Sequence, residues 1–224
     1  MSEKTASNER RPRIPGLDAE ATPLISLGLG LTGLILGLRP RFAAWPLALT
    51  AATALLFRDP KRVTPDEPTT LFAPADGTLI GIDELYEHRF LHTEAMRLAI
   101  VATPMDVPVQ RAPTSGVVAY AEHIPGEHRS ILELGAGDSN ERQYLGLMTD
   151  YGPILLSLIA GPLARRITTR VEPDDRVEAG ARLSTIRFGS RVDLLLPTDL
   201  CYDLPAIGTK LTAGESVVAR LATT

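Results

Sequence analysis

Apolar residues follow two regimes along the chain. Between residues 23 and 57 they run nearly unbroken. Positions 23–38 hold nothing more polar than serine and threonine, Arg39-Pro40-Arg41 interrupts, and positions 42–57 are apolar again apart from threonine. Each run would make a helix of roughly 24 Å at ~1.5 Å per residue, a little short of a bilayer core of ~30 Å. The pattern predicts a hairpin of two short helices over 22–57, turning at Arg39-Pro40-Arg41. Gly33 and Gly37, and likewise Ala44 and Ala48, stand four apart. That spacing of small residues would let two helices approach closely. Beyond Asp59 the pattern changes. Pro60, Pro65, Pro68 and Pro74 form a connector. After it, short alternating runs are separated by Gly, Pro and Asp. Runs at 78–82, 97–103, 116–122, 154–159, 167–171, 183–187, 192–196 and 217–221 predict strands, with one short helical stretch at 161–166. The expectation is a mainly β domain over 58–224, a barrel or sandwich.

An internal echo sharpens that expectation. Asp175-Arg176-Val177-Glu178-Ala179-Gly180-Ala181-Arg182-Leu183 and Thr209-Lys210-Leu211-Thr212-Ala213-Gly214-Glu215-Ser216-Val217 share one pattern of polar and apolar positions around Ala-Gly. Both predict strand–turn–strand, with glycine supplying a positive-φ turn. Lipoyl- and biotinyl-type barrels use the same unit, so the fold expected is a lipoyl-like barrel-sandwich behind an apolar helical hairpin.

Composition narrows the function. The 224 residues suffice for one medium domain and an appendage. A net charge of −4 and few aromatics argue against a nucleic-acid partner. The lone cysteine, Cys201, excludes an intrachain disulfide and a cysteine metal cluster. His88 and His92 stand four apart but lack a third ligand, so no metal site is expected. Residues 1–21, with Glu9-Arg10-Arg11-Pro12-Arg13, read as a flexible basic tail. Basic residues flank the hairpin (Arg11, Arg13, Arg58, Lys61, Arg62) and also occupy its turn. A spanning hairpin would put one group on the wrong side. A re-entrant or leaflet-inserted hairpin keeps every arginine on the cytoplasmic side. The late start of the apolar run and the lack of a small-residue cleavage site argue against a cleaved signal peptide. The expected location is the cytoplasmic side of the cell membrane, peripheral or hairpin-inserted.

Three stretches carry chemistry: Phe57-Arg58-Asp59-Pro60 with Ala73-Pro74-Ala75-Asp76-Gly77; Pro104-Met105-Asp106-Val107-Pro108-Val109-Gln110-Arg111-Ala112-Pro113-Thr114-Ser115-Gly116; and Phe188-Gly189-Ser190-Arg191-Val192-Asp193. Between them lie Asn140-Glu141-Arg142 and Ile159-Ala160-Gly161-Pro162-Leu163-Ala164-Arg165-Arg166-Ile167. A serine hydroxyl can attack the carbonyl that precedes it and move the acyl chain from nitrogen to oxygen. Glycine before the serine removes hindrance and permits unusual backbone geometry. Elimination of the ester leaves dehydroalanine, which hydrolyses to a pyruvoyl group. Gly-Ser by itself is a common turn, and Asp76-Gly77 by itself is a favoured hairpin turn. Asn140-Glu141-Arg142 follows the glycine-rich Gly135-Ala136-Gly137-Asp138, but without the lysine of a nucleotide phosphate loop.

The order and spacing of these pieces, over roughly residues 42–221, resemble the short, archaeal-type phosphatidylserine decarboxylases. The resemblance implies self-cleavage between Gly189 and Ser190 into a β chain, 1–189, and an α chain, 190–224, which stay together as a heterodimer. It implies a covalent pyruvoyl cofactor made from Ser190. That ketone forms a Schiff base with the substrate amine and accepts electrons as carbon dioxide leaves. Asp76 is then part of the relay that activates the serine, as a carboxylate orients a base in a triad. The implied substrate is phosphatidylserine, the product phosphatidylethanolamine, and a higher oligomer is left open. One departure stands out. Relatives read Asp-Val-His-Val-Asn-Arg-Ala-Pro where this chain has Asp106-Val107-Pro108-Val109-Gln110-Arg111-Ala112-Pro113. The histidine linked to protonating the carbanion is replaced by Pro108, which has no titratable group. A lost general acid typically costs ~10²–10⁴-fold. His123 or His128, flanking a Pro125-Gly126 turn, could substitute. Arg111, Arg165 and Arg166 are candidates for lipid phosphate. Two alternatives accompany this reading: a self-cleaving relative with weak or altered decarboxylation, and a membrane-anchored, lipoyl-like adaptor with no enzymatic activity.

Overall fold

The computed structural model describes residues 15–18, 20–67, 69–130, 139–164 and 166–221. The basic run from Glu9 to Arg13, the glycine-rich stretch from Gly135 to Asp138 and Arg165 lie outside the described residues. The chain divides into two compact units, up to Lys61 and from Arg62.

The first unit is a helical hairpin. Helix α1 spans Ala21–Leu38, a 3₁₀ turn spans Pro40–Phe42 and helix α2 spans Ala44–Leu56. Asp18 starts α1 by accepting the Glu20 amide on its side chain and the Ala21 amide on its carbonyl. The base is closed by a Leu17–Arg58 bridge and by hydrogen bonds from Asp18 N to Phe57 O and from Asp59 N to Gly16 O. The helix–helix seam differs from the one expected. Nothing approaches Gly33 or Gly37, and Ala44 and Ala48 are exposed. The contact is instead at Gly28, where a Cβ would collide with the Thr50 hydroxyl. Thr50 fits there because its hydroxyl is turned back onto the Pro46 carbonyl, 2.7 Å away. Most of the apolar surface is left outward. Only Ala21 and Ile25 of α1 are buried, whereas Leu38, Trp45 and Leu49 are more than 70% exposed. Helix α1 is long and apolar enough to cross a membrane.

The second unit is mainly β. Its strands are β1 Thr70–Phe72, β2 Gly77–Glu87, β3 Thr93–Ala102, β4 Val109–Arg111, β5 Gly116–Ile124, β6 Arg142–Thr149 and β7 Gly152–Ala160. Then follow β8 Ile167–Thr169, β9 Arg176–Val177, β10 Arg182–Ile186, β11 Ser190–Pro197, β12 Cys201–Tyr202, β13 Lys210–Leu211 and β14 Val217–Leu221. Eight of them form one antiparallel sheet in the order β13-β2-β3-β11-β7-β6-β5-β9. Two three-stranded sheets, β1-β14-β12 and β4-β10-β8, complete it.

Each of the eight predicted runs lies on a strand. Strand β6 was not anticipated, because Gly146 breaks its alternation; the Phe90 ring occupies the place a Cβ at 146 would need. In the stretch expected to be helical, residues 161–164 instead make a turn closed by Ala164 N donating to Gly161 O. The echoed segments do fold alike, with Gly180 at φ +77° and Gly214 at φ +74°. The two turns stand back to back. A Cβ on Gly214 would lie 3.4 Å from Gly180 Cα and 3.2 Å from Thr64 Oγ1.

Alternation on β11 sets the core. Val192, Leu194 and Leu196 face the main cluster with Leu98, Ile100, Leu156 and Leu158, while Leu195 faces a second cluster with Leu91, Ala95 and Leu155. Burying each such side chain stabilises the fold by about 1.5–3 kcal/mol. β11 is therefore fixed between two hydrogen-bonded neighbours and two apolar layers.

Candidate active site

Ser190 opens β11 and shares a face with Val192 and Leu194. Its register partners are Ala102 at the end of β3 and Ala160 at the end of β7. Small side chains thus stand on both sides of it. Ser190 is 1% exposed, and its hydroxyl has no hydrogen-bond partner among the described residues. Leaving a buried hydroxyl unsatisfied costs about 1–3 kcal/mol, and such a group in a native fold calls for an explanation.

The backbone leading into Ser190 is also strained. Phe188 has φ +68° and Gly189 φ +93°. A left-handed phenylalanine is an outlier, and each such residue stores on the order of 1–3 kcal/mol. At position 189 only glycine is comfortable: a Cβ would lie 3.3 Å from the Ala102 carbonyl oxygen and 3.6 Å from the Pro104 ring. The adjoining turn is fixed by Asp106, which accepts both the Thr103 amide, at 2.7 Å, and the Thr103 hydroxyl, at 2.8 Å.

Register brings several predicted residues to the same edge of the sheet. Thr78 pairs with Val101, so Asp76-Gly77 enters the edge beside Ala102, and a Cβ on Gly77 would collide with the Val101 carbonyl. On the other side, Ala160 N donates to Glu141 O at 3.0 Å. The edge therefore reads Asp76-Gly77, Ala102, Ser190, Ala160, Glu141. At ~4.8 Å per strand, Glu141 lies roughly 10 Å from Ser190.

Asp76 is held on both oxygens. One accepts the Arg62 guanidinium at 2.8 Å, the other the Ala213 amide at 2.8 Å. His123 and His128 meet on one carboxylate, each Nε2 lying 3.8 Å from a different oxygen of Glu141. Glu141 is largely buried, whereas His123 is half exposed. Pro108 is buried, and its carbonyl receives Ile186 N at 2.9 Å and Gln110 Nε2 at 3.1 Å. Gln110 in turn accepts from the Ser184 hydroxyl.

The arginines are placed differently from one another. Arg111 is 4% exposed and donates Nη1 to the Gly180 carbonyl at 2.9 Å, pinning the back-to-back turns. Arg166 is exposed. His88 and His92 fall in the β2–β3 turn rather than on a helix. The opposite face of β11 carries Asp193, buried and gripped by both nitrogens of the Arg191 fork at 2.7 and 3.0 Å. Burial raises the Asp193 carboxyl above its usual range, against the pull of that guanidinium.

Two participants were not foreseen. Arg62, the partner of Asp76, stands in the sequence only as one of the bases flanking the hairpin. Glu141, the meeting point of the two histidines, reaches His123 only because β5 pairs with β6 in the register His123 opposite Gln143.

A family profile described as phosphatidylserine decarboxylase matches residues 49–219, which include every described residue of this edge. A protein of Symbiobacterium thermophilum named phosphatidylserine decarboxylase proenzyme is 38% identical over 221 residues, covering 96% of this chain and 99% of that one. A protein of the same name from Desulfotalea psychrophila is 39% identical over 176 residues, 78% of this chain and 82% of its own. With relatives this similar along nearly their whole length, the chain belongs to the phosphatidylserine decarboxylase family.

Proposed function

We propose that the chain is a phosphatidylserine decarboxylase, a carboxy-lyase made as a proenzyme that cuts itself between Gly189 and Ser190. The observation that carries this is the buried Ser190 hydroxyl, without a partner among the described residues and preceded by two left-handed residues. With no hydrogen bond to or from it among the described residues, the hydroxyl oxygen is unengaged beside the Gly189 carbonyl, and the left-handed Phe188 stores strain next to the bond to be cut. Transfer of the Gly189 acyl group to the hydroxyl, then elimination, frees residue 189 as a carboxylate and leaves dehydroalanine at 190, whose hydrolysis releases ammonia and gives a pyruvoyl terminus. The alanines beside Ser190 suit a small ketone there. That group would take up the substrate amine and act as the electron sink when carbon dioxide leaves.

The chain's own residues do the rest. Asp76, fixed by Arg62 and Ala213 N, holds its carboxyl group at the edge next to Ala102 and serves the self-cleavage relay. His123, with His128, takes the place of the acid that Pro108 cannot supply. Both rings are held 3.8 Å from the Glu141 carboxylate, and either can return a proton once carbon dioxide has gone. Arg166 and Arg165 are assigned to the lipid phosphate. Arg111, the third candidate, acts from beneath by holding the Gly180 turn. The two products, residues 1–189 and 190–224, remain one heterodimer because β11 is paired on both sides and β13 and β14 pair with β2 and β1. The outward leucines of the hairpin suit a lipid environment, and the basic residues at its turn and base (Arg39, Arg41, Arg58, Lys61) favour the cytoplasmic side of the membrane.

Intact mass spectrometry tests the proposal. Wild-type protein should give two chains, the smaller beginning with a pyruvoyl group in place of Ser190, and Ser190→Ala should give one uncut chain. A single wild-type chain with serine still at 190 would remove the enzyme reading altogether.

A further inference from the structure

Around Ser190 the outer ends of three adjacent strands carry exposed apolar side chains. Strand β3 ends at Ala102 and is followed by Met105, 54% exposed. Strand β7 ends at Ala160 and is followed by Leu163, 65% exposed. Strand β11, between them, is preceded by Phe188, 37% exposed. Single exposed apolar residues are ordinary on any protein. Here one such residue comes from each of three neighbouring turns, within two strand spacings, and Ser190 lies beneath their centre. The turns themselves are built rather than loose. Asp106 ties off the one bearing Met105, and Ala164 N closes the one bearing Leu163 onto Gly161 O. Side chains held outward on such turns form a patch.

We infer that this edge of the β unit is itself a membrane-docking surface. Met105, Leu163 and Phe188 enter the interfacial layer of an anionic leaflet, and the exposed Arg166 beside Leu163 meets lipid phosphate. The inference rests on the decarboxylase reading for its lipid substrate but makes a separate claim about the surface. Ser190 is buried, and a head group tied to two acyl chains cannot rise far from its bilayer. The reacting end of the sheet must therefore come down to the head-group layer. Apolar side chains penetrating ~5–10 Å into the acyl boundary would hold it there, and a basic residue at the rim adds attraction for anionic lipid.

The surface can be read without turnover. Trp45 is the chain's one tryptophan, so Trp45→Phe gives a silent background. Into it go Met105→Trp, Leu163→Trp and, as a control, Met148→Trp. Met148 is 48% exposed near the far end of β6, roughly 20 Å along the strand from the reactive edge. Each full-length protein is bound to vesicles of phosphatidylcholine and phosphatidylglycerol carrying bromine on the acyl chains. Emission at positions 105 and 163 should fall about two-fold or more, while emission at 148 should be nearly unchanged. Equal quenching at all three sites, or none at 105 and 163, overturns the inference. So does a blue shift at 105 that depends on protein concentration without lipid, which would assign the patch to a second copy of the chain. A Met105→Asp, Leu163→Asp double variant gives the matching rate test. Carbon dioxide release from bilayer phosphatidylserine should drop about ten-fold more than release from a dispersed short-chain analogue. Should wild-type protein release carbon dioxide from neither, the decarboxylase reading fails, while the quenching result still decides the docking surface.

Discussion

The two faces of β11 treat buried polar groups in opposite ways. On one face Asp193 is satisfied: both oxygens meet the Arg191 fork, and Arg97 with Asp83 form a second pair across the neighbouring strands. On the other face, three residues earlier, Ser190 has no partner among the described residues and is reached through two residues in the left-handed region. Both groups are equally dry, at 4% and 1% exposed. Burial alone therefore does not distinguish a structural polar group from a reactive one. What distinguishes them is whether the surroundings have spent the group's hydrogen-bonding capacity. A paired carboxylate is chemically quiet. A buried hydroxyl with no partner among the described residues, behind a left-handed Phe188, is the one the proposed self-cleavage would use.

The largest effects should come from disturbing the strained side. Gly189→Ala puts a Cβ 3.3 Å from the Ala102 carbonyl oxygen and asks alanine to adopt φ +93°. The peptide would rotate away from its present geometry. A penalty of about 3 kcal/mol corresponds to at least ~10²-fold slower self-cleavage. Asp76→Asn leaves an oxygen for Ala213 N but removes the charge that Arg62 meets, and should slow the cut by a smaller factor, about ten-fold. Both are followed on a denaturing gel after pulse labelling. Wild-type cutting rates in both variants would break the contrast between the faces, because neither strain nor the carboxylate would then matter to Ser190.

A step further from the bond, the contrast predicts a separation between cutting and turnover. His123→Gln with His128→Gln leaves the 188–190 backbone untouched. The cut should proceed normally, while carbon dioxide release falls roughly ten- to a hundred-fold, near the lower end of what a lost general acid costs. Steady-state kinetics should place the loss in kcat rather than KM, with the acid-dependent limb of its pH profile changed. An unchanged kcat would remove both histidines from the reaction and leave water as the donor.

Much of this arrangement was legible in the residues. The hairpin announced itself through two charge-free runs, and eight strands through alternation and turn residues. The echoed Ala-Gly segments gave their turns correctly because positive φ leaves a residue signature. The Ser190 string, in order behind the other motifs, pointed to a serine whose hydroxyl the fold buries without a partner among the described residues. What was not legible depended on register and approach between distant segments. The Gly28–Thr50 seam displaced the expected Gly33 and Gly37 contact, since which small residue meets the partner helix depends on the crossing point. β6 was hidden because Gly146 answers to Phe90, more than fifty residues earlier. Arg62 stands in the sequence only as a hairpin-flanking base and Glu141 only as part of Asn140-Glu141-Arg142, and neither context names its partner. Each acquires its place only when a connector or a strand pairing brings it to its partner.

The smallest expected effect tests the quiet face. Asp193 is raised by burial, so its folded-state pKa lies above its unfolded value of about 3.9. The sign follows from proton linkage. Below about pH 4 the carboxyl is protonated in both states, and whatever its neutral form contributes is fully present. As pH climbs through the raised folded value, the folded state must hold a charge that the unfolded state carries more easily, and stability is lost. Asp193→Asn keeps an oxygen for the Arg191 fork and cannot ionise. Measured in the uncut Ser190→Ala background, so that the chain melts as one piece, the variant should gain in Tm on its parent as pH rises from 4 to 7. The gain should be no more than about 4 °C for a chain of this size. Its cutting in an otherwise wild-type chain should be unaltered. A Tm difference that stays flat across that range would mean that the Arg191 pair outweighs burial and that the carboxylate is held ionised throughout. Slowed cutting would mean that the two faces of β11 are coupled, and the division between a satisfied and an unsatisfied side would no longer separate structure from reaction.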